Sequence, residues 1–129
     1  MRYLTIADWL VGAHDTHHPI GGGLYYEDQK REARRRSKDF RENRLPLFLD
    51  YFEKLLGREK RFTYVNLSLF QMMEGLDYAF PRAMRKFPRG NLRDNQGRVA
   101  ERLKPYLKSK RRIPFNQQGI FRHYPELDR

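Results

Sequence analysis

The sequence predicts an all-α fold. Three observations carry this. Apolar residues recur at three- and four-residue steps along most of the chain. No segment of strand length alternates apolar and polar residues. One stretch, Thr63–Phe80 (TYVNLSLFQMMEGLDYAF), is apolar almost all the way round and stops at Pro81. A surface helix keeps a wet face, so this one belongs at the centre of a bundle. Leu69, Met72, Met73, Leu76 and Phe80 form its main stripe; Val65, Leu67, Phe70, Tyr78 and Ala79 fill most other directions. Thr63 is placed to accept from the N–H groups of the first turn, and Asn66 holds the reciprocal position of a capping box. The expected architecture is five or six helices around 63–80, within one domain spanning 1–129.

The flanking elements follow in order. Tyr3–His14 has a helix period through Leu4, Ala7, Trp9, Leu10, Val11 and Ala13, and Pro19 lies beyond its end. Gly21–Gly23 reads as a flexible loop. A long helix is expected from Tyr25 toward Leu56, charged in its first half and apolar in its second. Pro46 lies between the halves and should kink or split it. Gly57 is a stop and Arg58–Arg61 a charged connector. After the central helix come a loop from Phe87 to Gly90 and a helical stretch over Asn91–Leu107. The end, from Arg111, has Pro and Gly punctuation and several aromatics, and reads as an irregular tail packed on the surface.

Composition bounds the function. Hydrophobic residues make up 39% and aromatics 14% of the 129 residues, enough for a core. The formal net charge is +11, which favours anionic partners without choosing among them. The absence of cysteine excludes a disulfide framework, a thiolate metal site and a Cys nucleophile. No apolar run reaches the roughly 20 residues that cross a bilayer. The first residues make a poor signal peptide, so a cytoplasmic, membrane-free protein is expected.

Four constellations are candidates for chemistry. His14, His17 and His18 are spaced so that one helical face could present two or three imidazoles, with Asp15 beside them. Polar residues at a helix end are the simpler reading; Zn²⁺ or Ni²⁺ ligation is the sharper and less favoured one, and no metal is expected. Asp8 sits where a first-turn carboxylate meets the positive helix end. The basic run Lys30–Lys38 could contact phosphates, yet Glu27, Asp28, Glu32, Asp39 and Glu42 interleave with it, as on a solvated helix laced by ion pairs. Nucleic acid is therefore not the expected partner. Phe115, Phe121, His123 and Tyr124 near Pro114 and Pro125 would bury large areas if the tail docks. No acid pair, base-flanked serine or phosphate-cradling loop suggests an independent active site.

The segments HDTHHPI (14–20), LYYEDQK (24–30), YVNLSLFQMMEGLDYAFPRAM (64–84) and RRIPFNQQGIFRHYPELD (111–128) resemble the C-terminal helical domain of glutathione transferases, of the alpha/mu/sigma-like kind. In that family the buried helix carries a Ser/Thr-x-x-Asp box, matched here by Thr63-x-x-Asn66 with Asn in place of Asp. Loss of the negative charge is expected to weaken the cap by a few tenths to about 1 kcal/mol.

The resemblance implies a division of labour. The catalytic Tyr, Ser or Cys, a cis-proline and most of the glutathione site belong to an N-terminal thioredoxin-like half, which these residues do not include. The helical half would bind an apolar electrophile and form the dimer, with no cofactor beyond glutathione as co-substrate. Conjugation is expected of the complete enzyme and not of this chain alone. The resemblance makes His14, His17, His18, Phe115, Phe121 and Tyr124 candidates for the wall of the hydrophobic pocket. It also makes Asp8 a candidate for reaching the glutathione ammonium across a dimer. For the tail, a strap over the domain's own core stands as the equal alternative. The expected partners are a thioredoxin-like half or a second copy. The competing reading is a non-catalytic module of the same fold that binds protein or RNA.

Overall fold

The structure, a computed structural model, describes residues 5–119 and 121–129. In chain order its helices are α1 (Ile6–His14), α2 (Tyr26–Asp39), a π-helical turn at Phe40–Arg44, α3 (Leu45–Arg58), α4 (Tyr64–Ala79), the single turn α5 (Pro81–Met84), α6 (Asn91–Arg102), the single turn α7 (Lys104–Leu107) and a 3₁₀ turn at Pro125–Leu127. The fold is all-α, with no strand among the described residues. The expected start of α1 at Tyr3 and Leu4 lies outside the described residues.

α4 is the axis of the core. Leu69, Met73 and Leu76 are completely or almost completely buried, and so are Ala79 and the C-cap Phe80. Burial of each large side chain contributes roughly 1.5–3 kcal/mol before entropy is counted. The first turn departs from the expectation of burial all round: Tyr64 and Leu67 are exposed. Thr63 Oγ1 accepts from Val65 N–H at 3.2 Å, and Asn66 Oδ1 accepts from Thr63 N–H at 2.8 Å. Asn66 has a second role. Its Nδ2 donates to Asn95 Oδ1 at 2.8 Å, and Asn95 Nδ2 returns a bond to Asn66 O at 3.0 Å. This clamp ties the start of α4 to α6, and an aspartate could not donate to it.

α1 docks through Trp9, fully buried, which stacks on Phe48 and Phe52 of α3 at 5.7 and 5.4 Å. The expected kink at Pro46 is the π turn: Leu45 N–H bonds five residues back to Phe40 O, a wider loop that makes room for the proline ring. The long C-terminal helix divides at Leu103, where Pro105 removes a donor from the next turn. Glu53 of α3 caps α6 by accepting from Asn91 and Leu92 N–H. Gly90 makes that approach possible: its φ is +143°, and a Cβ there would lie 2.5 Å from Glu53 Oε1.

Two expectations are corrected. The Gly21–Gly23 loop is pinned, because buried Gln29 accepts from Ile20 and Gly21 N–H and donates to Gly21 and Leu24 carbonyls. The tail is more than a surface covering. Leu127 is fully buried, Ser37 donates to its carbonyl, and Asp128 caps α5 by accepting from Arg82 and Ala83 N–H at 2.6 and 3.0 Å.

Candidate functional site

Between α1, α4 and the tail lies a cavity of about 170 Å³. Leu10, Ala13 and His14 project from one face of α1, as their three- and four-residue spacing requires. Gln71, Met72, Gly75 and Leu76 face them from α4, and Phe115 and Phe121 close the end. Only His14 and Gln71 bring polar side chains. Gly75 creates the space. A Cβ there would sit 3.5 Å from Phe121 and 3.7 Å from Phe115, so any longer side chain would grow into the cavity.

A wider depression, about 780 Å³, lies among the π turn, α3, α5 and the chain end. Size alone would favour it. Its rim mixes Arg41, Arg82 and Lys86 with Glu42, Asp50 and Glu53. Two of its four acids, Glu53 and Asp128, are already engaged as helix caps. The smaller cavity is the better candidate because its lining is chemically uniform.

The structure separates the three histidines. His14 is exposed at the cavity mouth, with Nδ1 3.4 Å from Asp15. His17 lies fully buried among the rings of Phe80, Phe121 and Tyr124. Its Nε2 donates to Arg122 O at 2.6 Å and its Nδ1 lies 2.8 Å from Thr16 Oγ1. Burial lowers its pKa from 6.5 to about 4; the Arg122 carbonyl opposes this, and His18 and His14 add to it. His18 faces a different cleft, beside the glycine loop and Tyr124. Its pKa is also lowered, chiefly by burial, with contributions from His14 and Arg122. Among the described residues no group of three or more His, Cys, Asp or Glu is arranged to hold a metal.

The tail aromatics divide likewise. Phe115 stacks on Tyr78 at 5.0 Å and Phe121 packs on His17 at 5.0 Å, and both line the cavity. Tyr124 stacks on Tyr26 at 3.8 Å, away from it. The Tyr26 hydroxyl donates to Glu126 at 2.7 Å. Burial, and then that bond, raise the Tyr26 pKa well above its usual range. Burial works against Glu126 ionisation, yet the Tyr26 hydroxyl and Lys30 hold its pKa below the usual carboxylate range. Asp8 is the α1 cap: its Oδ2 accepts from Thr5 N–H and Oγ1, and its own N–H donates back to Thr5.

Leu10, Ala13, Gln71, Met72, Gly75 and Leu76 were not among the candidates from sequence. A glycine in the middle of a buried helix was the available signal, since it weakens the helix by about 1 kcal/mol and leaves open the space where a side chain would pack.

A helical bundle around a capped, buried axis, with a small apolar cavity against that axis, defines an all-helical class of domain. The family model described as "Glutathione S-transferase, C-terminal domain" matches residues 14–110, and the chain belongs to that family. A comparison with curated proteins finds no match. The family match stops short of most of α1 and of the tail, which supply Leu10, Ala13, Phe115 and Phe121 to the cavity.

Proposed function

We propose that this domain is the substrate-binding half of a glutathione transferase-like protein, and that the cavity between α1, α4 and the tail takes an apolar electrophile. The supporting observation is the lining: seven apolar residues or glycine against His14 and Gln71. Its volume matches a single aromatic ring, since an apolar cavity of roughly 150 Å³ holds benzene. The thiol nucleophile and its activating group would come from a thioredoxin-like half, with glutathione as co-substrate. Exposed Leu10 and Val11 on α1 would be covered by that half or by a second copy.

The test joins the chain to a thioredoxin-like half and measures conjugation of glutathione to a nitro-activated aryl chloride. Gly75→Leu fills the cavity, and should raise KM or abolish turnover while circular dichroism stays helical. Unchanged kinetics in Gly75→Leu, or no conjugation by the joined protein, would refute the reading.

A further inference from the structure

The charge of this chain is not spread evenly, and its most one-sided region is not α2. Residues 27–44 hold eight Lys and Arg against five acids. The segments 58–61 and 98–112 together hold ten against two, Glu59 and Glu101. The fold brings these segments together. The Arg102 guanidinium lies 4.2 Å over the Phe62 ring, and Lys60, Arg61, Phe62 and Arg98 share the walls of one cleft with two acids, Glu59 and Asp94. α7 continues from α6 through Leu103, whose carbonyl accepts from Leu107 N–H at 2.8 Å, and carries the rest of the basic segment onward. Both acids of the two segments are paired inside the patch, Glu59 with Arg61 at 3.5 Å and Glu101 with Lys104 at 3.8 Å. Among the described residues no other cation of the patch has an acidic partner within 4.0 Å.

Exposed aromatics accompany the charge. Tyr64 is 78% and Tyr106 47% exposed, and Phe62 is also open on the surface. A solvated surface has no use for two open tyrosine rings beside a third ring already stacked under a guanidinium. A patch that combines unpaired cations with open rings suits a polymer having a charged backbone and flat bases. The patch shares no residue with the apolar cavity.

We propose that the surface formed by residues 58–64 and 98–112 binds single-stranded nucleic acid, with the cations on phosphates and Tyr64 and Tyr106 stacking on bases. The charge needed was visible in the sequence, but the two segments are far apart there, and the fold joins them through the Arg102–Phe62 contact and the shared cleft.

Anisotropy of a labelled oligouridine with the full chain tests this. Contact with five phosphates weakens binding roughly hundredfold between about 50 and 200 mM salt. Charge reversal at Lys60→Glu/Arg61→Glu, and separately at Lys108→Glu/Lys110→Glu, should each lower affinity at least about tenfold. Tyr106→Ala should lower it about tenfold with the salt slope unchanged, because stacking releases no counterions. Reversal of Arg31→Glu/Arg36→Glu on α2 should have a much smaller effect. An α2 reversal as damaging as the patch reversals would reduce the effect to net charge and overturn the proposal. Binding to phosphatidylserine vesicles without binding to oligouridine at 50 mM salt would overturn it equally.

Discussion

His17 sets an acid limit on the tail's attachment. Three close contacts surround it: Thr16 Oγ1 to Ala13 O at 2.6 Å, Thr16 Oγ1 to His17 Nδ1 at 2.8 Å, and His17 Nε2 to Arg122 O at 2.6 Å. With a neutral ring, one hydroxyl proton and one imidazole proton serve all three. An imidazolium would supply the missing proton, so hydrogen bonding favours charge. Burial opposes it, with Phe80, Phe121 and Tyr124 around the ring, and His18 and His14 add like charge nearby. Burial wins, and the pKa falls from 6.5 to about 4. A folded-state pKa below the unfolded one means that the unfolded chain binds the proton first. The contribution of neutral His17 is therefore complete above about pH 6.5 and is lost as pH falls toward 4. At 1.36 kcal/mol per pH unit the difference amounts to about 3 kcal/mol, a large part of a small domain's stability. The perturbation is His17→Gln, whose amide can still donate to Arg122 O but does not titrate. Urea unfolding of both proteins from pH 7 to 4 isolates the His17 contribution as the difference between their profiles. Parallel profiles, or an imidazole titrating above 6.5 by NMR, would refute the reasoning.

Two further predictions concern caps. Asn66→Asp restores a charge to the positive end of α4 but loses the donor to Asn95 Oδ1; the lost bond outweighs the dipole gain, and urea unfolding should show a net loss of about 1 kcal/mol. Gly90→Ala forces a side chain into a positive-φ position and onto the Glu53 carboxylate; thermal unfolding should report a loss of about 2–3 kcal/mol, from backbone strain and a displaced α6 cap together.

The helical plan was legible because its causes are local. Thr63, Asn66 and Pro81 bracket the central helix within its own sequence, and the apolar run between them leaves few solvent-facing positions. Pro46 announced a discontinuity, although not that a π turn would absorb it. The parts missed depend on distant partners. Asn66 looked like a weakened aspartate because Asn95 lies 29 residues away. Gln29 looked like one polar residue on a charged helix, yet it supplies four hydrogen bonds to the preceding loop. The histidine spacing suggested a shared face, but α1 ends at His14, and beyond it the chain turns His17 inward and His18 toward another cleft. Helical spacing has no force outside a helix.

The tail was open to two readings, a strap over the core or a wall of a ligand pocket, and the residue that straps the core, Phe121, also lines the apolar cavity. Phe121 packs on His17 with one part of its ring environment and lines the cavity with another. Arg122, the next residue, takes the His17 hydrogen bond. Whatever loosens the strap therefore removes a wall from the cavity. Linkage then fixes a reciprocal relation: an apolar ligand that needs Phe121 in place binds the strapped form and stabilises it by RT ln(1 + [L]/Kd). A ligand at 100 times its Kd adds about 2.7 kcal/mol, close to what protonation of His17 removes. Such a ligand should move the acid unfolding midpoint to lower pH, and its affinity should weaken as pH falls through about 4, where His17 of the folded protein takes up its proton. In His17→Gln that pH dependence of affinity should vanish while binding persists. Calorimetric titration of a one-ring apolar probe at pH 7 and 4, in both proteins, decides it. Equal affinity at the two pH values in the wild type would separate the strap from the cavity and end the argument that Phe121 joins them.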